Sequence, residues 1–480
     1  MPSSSAEAPP KSEAVAERRP REALWGGPKT AFVAILALAA VLRIVGVGYG
    51  RPFALFSPDE QSIVPRAWHM AHGGGLDPHW FDYPTLLMYL LAPFQAWQSA
   101  PSYLAARLVV VALALGAVAA AWWLGSRAYG GPAGAVAAAA VAVCTTAIAY
   151  SRMAVTDVPL MLGVAATLAL LVSGRIELAG LAAGLATSFK YPGVFLLVPL
   201  VVASWRQPRR LALGVVAMAV AFAATSPYFF VHFGSALDDA LRVQRLAREG
   251  WLGFEHDHVA PIAFVDRLWE ALGPFLLVSL LGLAIALVRR TRNDLILASF
   301  VLVYYLDLCT LGAHFDRYVL PLVPPLAVLA GRIRSLAPVA ILLLVVPLTW
   351  SVRDAKRLTH TDTRVVAQRW VESHLRHDSR IAVDPSLPPF PSFRIVKLDL
   401  PLPHEGHPDQ DRDVRRLRLQ DVHHVVLTGA VADRVLDARK TYPFEARFYD
   451  NVRNLKRVFY VREDQGDLNG PWVAVYRLPG

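Results

Sequence analysis

A polytopic α-helical membrane protein of about eleven spans, ending in a small soluble α/β domain, is the fold class that the sequence predicts. Three features predict it: composition, the length of the apolar runs and the placing of the arginines. Of 480 residues, 55% are hydrophobic and 18% charged, and the mean hydropathy is +0.38. A chain this apolar needs the bilayer as its main solvent. The net charge of +10 does not point to nucleic acid, because Lys and Arg occur in short clusters between apolar runs and form no single basic face.

Residues 1–28 are rich in Pro, Ser, Ala and charge and are expected to form a disordered cytoplasmic tail. The apolar run from Thr30 to Tyr49 is longer than a signal-peptide core and is expected to be a retained first span. Runs long enough to cross roughly 30 Å of hydrocarbon, some only if tilted or re-entrant, lie near 30–49, 103–125, 133–150, 155–173, 178–190, 192–205, 210–230, 272–288, 295–313, 317–331 and 336–350. With the tail inside, the short inner turns hold Arg127, Arg175, Arg206, Arg209, Arg210, Arg289, Arg290, Arg292, Arg332 and Arg334. This is the positive-inside pattern. It makes 29–350 a transmembrane domain with outer loops 50–102 and 231–271, and it puts 351–480 outside.

Residues 351–480 change character. HTDTRVVAQRWVESHLRHD reads as an amphipathic helix, and RIAVD, VHHVVLTG and WVAVYRL read as short buried strands. The proline-rich DPSLPPFPSF reads as an ordered loop, lying over that sheet or against the membrane domain. Cys144 and Cys309 both fall in apolar segments, where they suit packing and indicate neither a disulfide framework nor a cysteine metal site.

Ionisable residues near the outer face are the candidates for chemistry, since burying them there is costly unless they serve a substrate or pair together. Ser57-Pro58-Asp59-Glu60 has the form of an N-cap, a first-turn proline and a capping box closed by Glu60, which leaves Asp59 at a helix start facing the membrane surface. Arg152 and Asp157 are close enough to form a salt bridge across an outer turn. Lys190-Tyr191-Pro192 breaks an apolar stretch, and Arg317-Tyr318 begins another. With Arg107, these cations sit at one membrane depth, which suits a buried phosphate. His256-Asp257-His258 can supply ligands to a divalent ion, with Asp82 as a third.

Taken in order, these motifs resemble the GT-C glycosyltransferases, in particular the family 39 protein mannosyltransferases and the lipid A aminoarabinose transferase. The likeness runs from about residue 30 to 335 and rests on Asp59-Glu60, Tyr83-Pro84, the stretch from Arg152 to Leu160, Gly-Leu-Ala-Ala-Gly-Leu-Ala leading to Lys190-Tyr191-Pro192, and Arg317-Tyr318 with the Leu-Pro that follows.

The resemblance implies a polyprenyl-phosphate sugar donor, a protein, lipid or glycan acceptor hydroxyl, and inverting single displacement. Asp59 would be the base, with Glu60 beside it. Tyr83, Arg107, Arg152, Asp157, Lys190, Tyr191, Arg317 and Tyr318 would serve the donor phosphate and substrate. It also implies a bacterial plasma membrane with the site on the outer face. Asp82 aligns with a metal-site acid of the aminoarabinose subgroup, so a divalent ion on Asp82 with His256 or His258 is an expected cofactor. That subgroup has Lys after the acid where this chain has Tyr83, so Lys190, Arg317 or Arg107 must carry more of the phosphate grip.

Two other readings compete. A transporter would place charges near the midplane, whereas here they lie at the outer ends of the runs, with Arg43 and Asp307 as the exceptions. A non-catalytic envelope scaffold would tolerate loss of the acidic pair, which is intact. The topology predicts that a cysteine placed at Ser392 is labelled by a membrane-impermeant reagent on intact cells. Labelling only after lysis reverses the orientation.

Overall fold

The computed structural model describes residues 28–403 and 409–479. The tail expected over 1–28 lies outside the described residues except for Pro28, which opens the first helix, Pro28–Ile44.

Each apolar run coincides with a helix or a pair of helices, but few are straight crossings. Three are long and apolar enough to span by length and composition: Tyr103–Tyr129, Pro208–Thr225 and the stretch Arg334–Arg357. Two bent pairs raise this to five, Gly131–Val143 with Thr145–Ser151 at 58° and Ala260–Leu272 with Phe275–Arg289 at 119°. The remaining runs are shorter because prolines divide them. Pro192 turns the chain into a 3-10 segment before Leu197–Ser204, and Pro321 lies in another before Val323–Gly331. Large apolar side chains such as Val216, Val220, Leu277, Val288, Leu306 and Leu342 face outward. Water would penalise such a surface and lipid would not, so this is a membrane protein.

Helix packing uses small residues. Ile176–Phe189 lies between Asp157–Val172 and Pro208–Thr225. A Cβ at Gly180 would collide with the Gly214 backbone, and one at Gly184 with the Met218 carbonyl. The Gly-Leu-Ala repeat therefore lets two backbones approach closely. Arg43, one of the two charges inside the apolar runs, is fully buried and donates to the carbonyls of Ala39, Val141 and Ala142. Its guanidinium satisfies the backbone where the helix breaks at Cys144.

The outer loops are helical as well. Pro58–Ala71 and Leu86–Gln95 occupy the first, and Phe233–Glu249 and the start of Ala260–Leu272 the other. Glu60 does not close a capping box. Ser57 caps the helix by accepting from the Asp59 N–H at 3.2 Å, while Glu60 turns inward. It takes both forks of Arg107 at 2.8 Å and the N–H of Ala154, and Arg107 also donates to the carbonyls of Val47 and Tyr49. Both side chains are 0% exposed.

The C-terminal part contains a five-stranded mixed sheet. Arg394–Lys397, Arg380–Val383 and Val422–Thr428 run parallel, and Val473–Arg477 and Lys456–Val461 continue antiparallel. Helix Thr363–His374 covers one face, and Gly429–Asp437 and Pro443–Arg453 the other. Inside it, Asp384 accepts from the Tyr449 hydroxyl and the Thr428 N–H, with Arg412 at 3.4 Å.

Removing one member of a buried, hydrogen-bonded pair leaves the other charged and unpaired. Arg107→Ala is therefore expected to lower stability by about 3–5 kcal/mol, read as a lower Tm in detergent. An unchanged melt would show that the pair carries no structural load.

Candidate active site

The outer ends of the helices and the C-terminal sheet enclose a cavity of about 1370 Å³. Its membrane side is lined by Asp59, Asp82, Tyr83, Tyr150, Arg317 and Tyr318, and its opposite wall is the proline-rich loop running from Asp384 to Phe393. That loop, which the sequence could not place, lies over the site.

Asp59 reaches the cavity because Ser57 and Pro58 start the helix at its floor. Its side chain is 18% exposed and that of Arg317 13%. The Tyr83 hydroxyl donates to Oδ2 of Asp59 at 3.1 Å, and a terminal nitrogen of Arg317 lies 3.4 Å from the same oxygen. Arg317 is fixed by stacking near Phe315 and Tyr318. Its Nε faces Oδ2 of Asp157 at 3.9 Å, beyond hydrogen-bond length, and neither atom has a hydrogen-bond partner. Behind it, Lys190 donates to Asp157 at 2.6 Å and lies over the rings of Tyr83 and Tyr318. The Tyr150 hydroxyl donates to Asp316 at 2.7 Å, which places a further acid beside Arg317.

The structure thus gathers Asp59, Tyr83, Asp157, Lys190, Arg317 and Tyr318. Other expected site residues lie elsewhere. Glu60 and Arg107 are sealed against each other and do not line the cavity, so neither is placed to touch a substrate. Arg152 is buried, donates to the Leu42 carbonyl and forms no bridge to Asp157. The Tyr191 hydroxyl donates to the Phe81 carbonyl, supporting the loop that carries Tyr83.

The expected metal ligands do not meet. Asp82 is paired with Arg242, His258 with Asp266, and His256 lies beside the Asp437 carbonyl. Burial pushes the Asp82 carboxyl up, with Arg242 opposing the shift. Among the described residues, one carboxylate and two imidazoles converge instead, from Asp77, His79 and His232.

Sequence reasoning missed Tyr150, Asp316, Trp80 and the pairing role of Arg242. Tyr150 and Asp316 flank motifs already singled out, and their shared membrane depth was the available signal.

The family model described as glycosyltransferase family 87 matches residues 80–311. ArnT from Cupriavidus metallidurans in the apo state superposes with a TM-score of 0.57 at 15% identity, covering 95% of this chain and 99% of that one. The same protein bound to undecaprenyl phosphate gives 0.55 at 15%, covering 92% and 97%. The Archaeoglobus fulgidus oligosaccharyltransferase AglB, in complex with an inhibitory peptide and a dolichol-phosphate, gives 0.55 at 10%, covering 91% and 73%. Comparison with curated protein sequences gives no match. The fold is that of the GT-C glycosyltransferases.

The ionic cluster separates two kinds of contact. Lys190→Ala strands the buried Asp157 and is expected to cost about 3–5 kcal/mol, whereas Tyr83→Phe removes one hydrogen bond to a partly exposed acid and should cost about 0.5–1.5 kcal/mol. Thermal melts in one detergent compare them. Equal losses would contradict the assignment of Asp157 and Lys190 as the closed pair.

Proposed function

We propose that this chain is a membrane glycosyltransferase that moves a sugar from a polyprenyl-phosphate donor to an acceptor hydroxyl, by inverting single displacement with Asp59 as base. The observation that carries the reading is an accessible carboxylate, Asp59, with the Arg317 guanidinium 3.4 Å away, both lining one cavity. The undecaprenyl phosphate and dolichol-phosphate named in the ArnT and AglB complexes support a lipid-phosphate donor.

Tyr83 and Arg317 both engage Oδ2 of Asp59, which leaves Oδ1 to the acceptor. In the reaction the acceptor O–H gives its proton to Asp59 while its oxygen bonds the anomeric carbon. The bond from that carbon to the phosphate oxygen breaks, and its electron pair stays on the lipid phosphate. A phosphate with a second pKa of about 6 leaves without a proton donor, unlike the alkoxide of glycoside hydrolysis, so no second carboxylic acid is needed. Arg317 meets the developing charge by charge-assisted hydrogen bonding. Behind that guanidinium lies Asp157, itself paired with Lys190.

The acceptor, a protein, lipid or glycan hydroxyl, would enter between the membrane part and the proline-rich loop. The arginine-rich inner turns support an outward-facing cavity and an extracytoplasmic placement for 351–480.

Asp59→Asn preserves size but cannot accept the proton. Turnover is expected to fall about 10²–10⁴-fold with donor binding and Tm nearly unchanged, whereas Arg317→Ala should mainly weaken donor binding. A turnover assay, a donor-binding measurement and a melt on the same preparations decide it. Normal turnover by folded Asp59→Asn protein would sink the mechanism.

A further inference from the structure

Outside the ionic cluster, the first outer loop runs alongside helix Phe233–Glu249 and is strapped to it repeatedly. The Phe81 N–H donates to Asp239 at 3.1 Å, Asp82 pairs with Arg242, and Asp77 meets His232, the residue that caps the helix start. At this last strap the chemistry changes. His232 Nε2 lies 2.6 Å and His79 Nδ1 3.5 Å from the same oxygen of Asp77, and one ligand atom from each residue falls within 4.8 Å of the others.

We propose that Asp77, His79 and His232 form a binding site for a zinc-class divalent transition ion, which clamps the first outer loop to the start of helix Phe233–Glu249. Two imidazoles and a carboxylate suit a borderline ion, and hard ions such as magnesium prefer all-oxygen sets. Zinc bonds of about 2.0–2.1 Å to nitrogen and oxygen place tetrahedral ligands roughly 3.3 Å apart, so small side-chain movements complete the set. His79 is pre-positioned. Its N–H donates to the other Asp77 oxygen at 3.0 Å, and its backbone takes φ 46°, turning the ring toward His232.

With His79 77% and His232 37% exposed, the ion would retain open positions for water. The site shares no residue with the set expected from the sequence, Asp82 with His256 or His258. Its effect would reach the cavity through Trp80, Asp82 and Tyr83, a few residues along the same loop.

The test uses full-length, tag-free protein in detergent, equilibrated with zinc or magnesium and assayed for bound metal and Tm. Wild type is expected to hold about one zinc per chain and to melt higher with zinc but not with magnesium. His79→Ala, which removes a side chain 77% exposed, should weaken binding. His79→Ala with His232→Ala should abolish both bound zinc and the rise in Tm, while Asp82→Asn and His256→Ala with His258→Ala keep them. Equal zinc in all variants, no zinc in wild type, a preference for magnesium, or loss confined to the Asp82 and His256/His258 variants would each overturn the proposal.

Discussion

The ion pair between Glu60 and Arg107 holds the outer half of the membrane part together. A carboxylate and a guanidinium removed wholly from water are costly unless every donor and acceptor is used. Here Glu60 accepts from Arg107 and Ala154, and Arg107 also serves two carbonyls at the end of the first span. Four segments far apart in the chain are therefore fixed to one point. Asp59 immediately precedes Glu60, so the carboxylate that lines the cavity takes its position from a neighbour sealed away from it. The acidic pair divides its labour, one acid for architecture and one for the cavity.

The same economy recurs across the cavity floor. Asp157 neutralises Lys190 and faces the Arg317 Nε at 3.9 Å, so two cations share one buried acid. The aromatic rings of Tyr83 and Tyr318 fix the height of Lys190 without adding charge.

Much of this was legible in the sequence. Apolar runs gave the helices because length and hydropathy are local properties. Three of the five sheet strands showed as short β-branched runs, whereas Arg394–Lys397 is a partly exposed edge with charge at both ends and no buried pattern. What failed was tertiary. The spacing from Ser57 to Glu60 fits a capping box, but the partner that wins is 47 residues away. Asp82 and Arg242 are 160 apart, and nothing local announces their pairing. Of the expected ring of cations, Lys190 and Arg317 meet at Asp157, whereas Arg107 and Arg152 turn into the protein and donate to carbonyls.

The cavity has two walls of different origin. The floor belongs to helices locked by buried charge, and the roof is the loop between two parallel strands, anchored at its base where Asp384 is held by Tyr449, Thr428 and Arg412. Prolines stiffen the loop, while its sheet folds around a separate apolar core. The loop is tied into that core by Phe390 and Phe393, which are buried in it. The two walls of one cavity thus answer to two different apolar cores, and its shape records how those cores are set against each other.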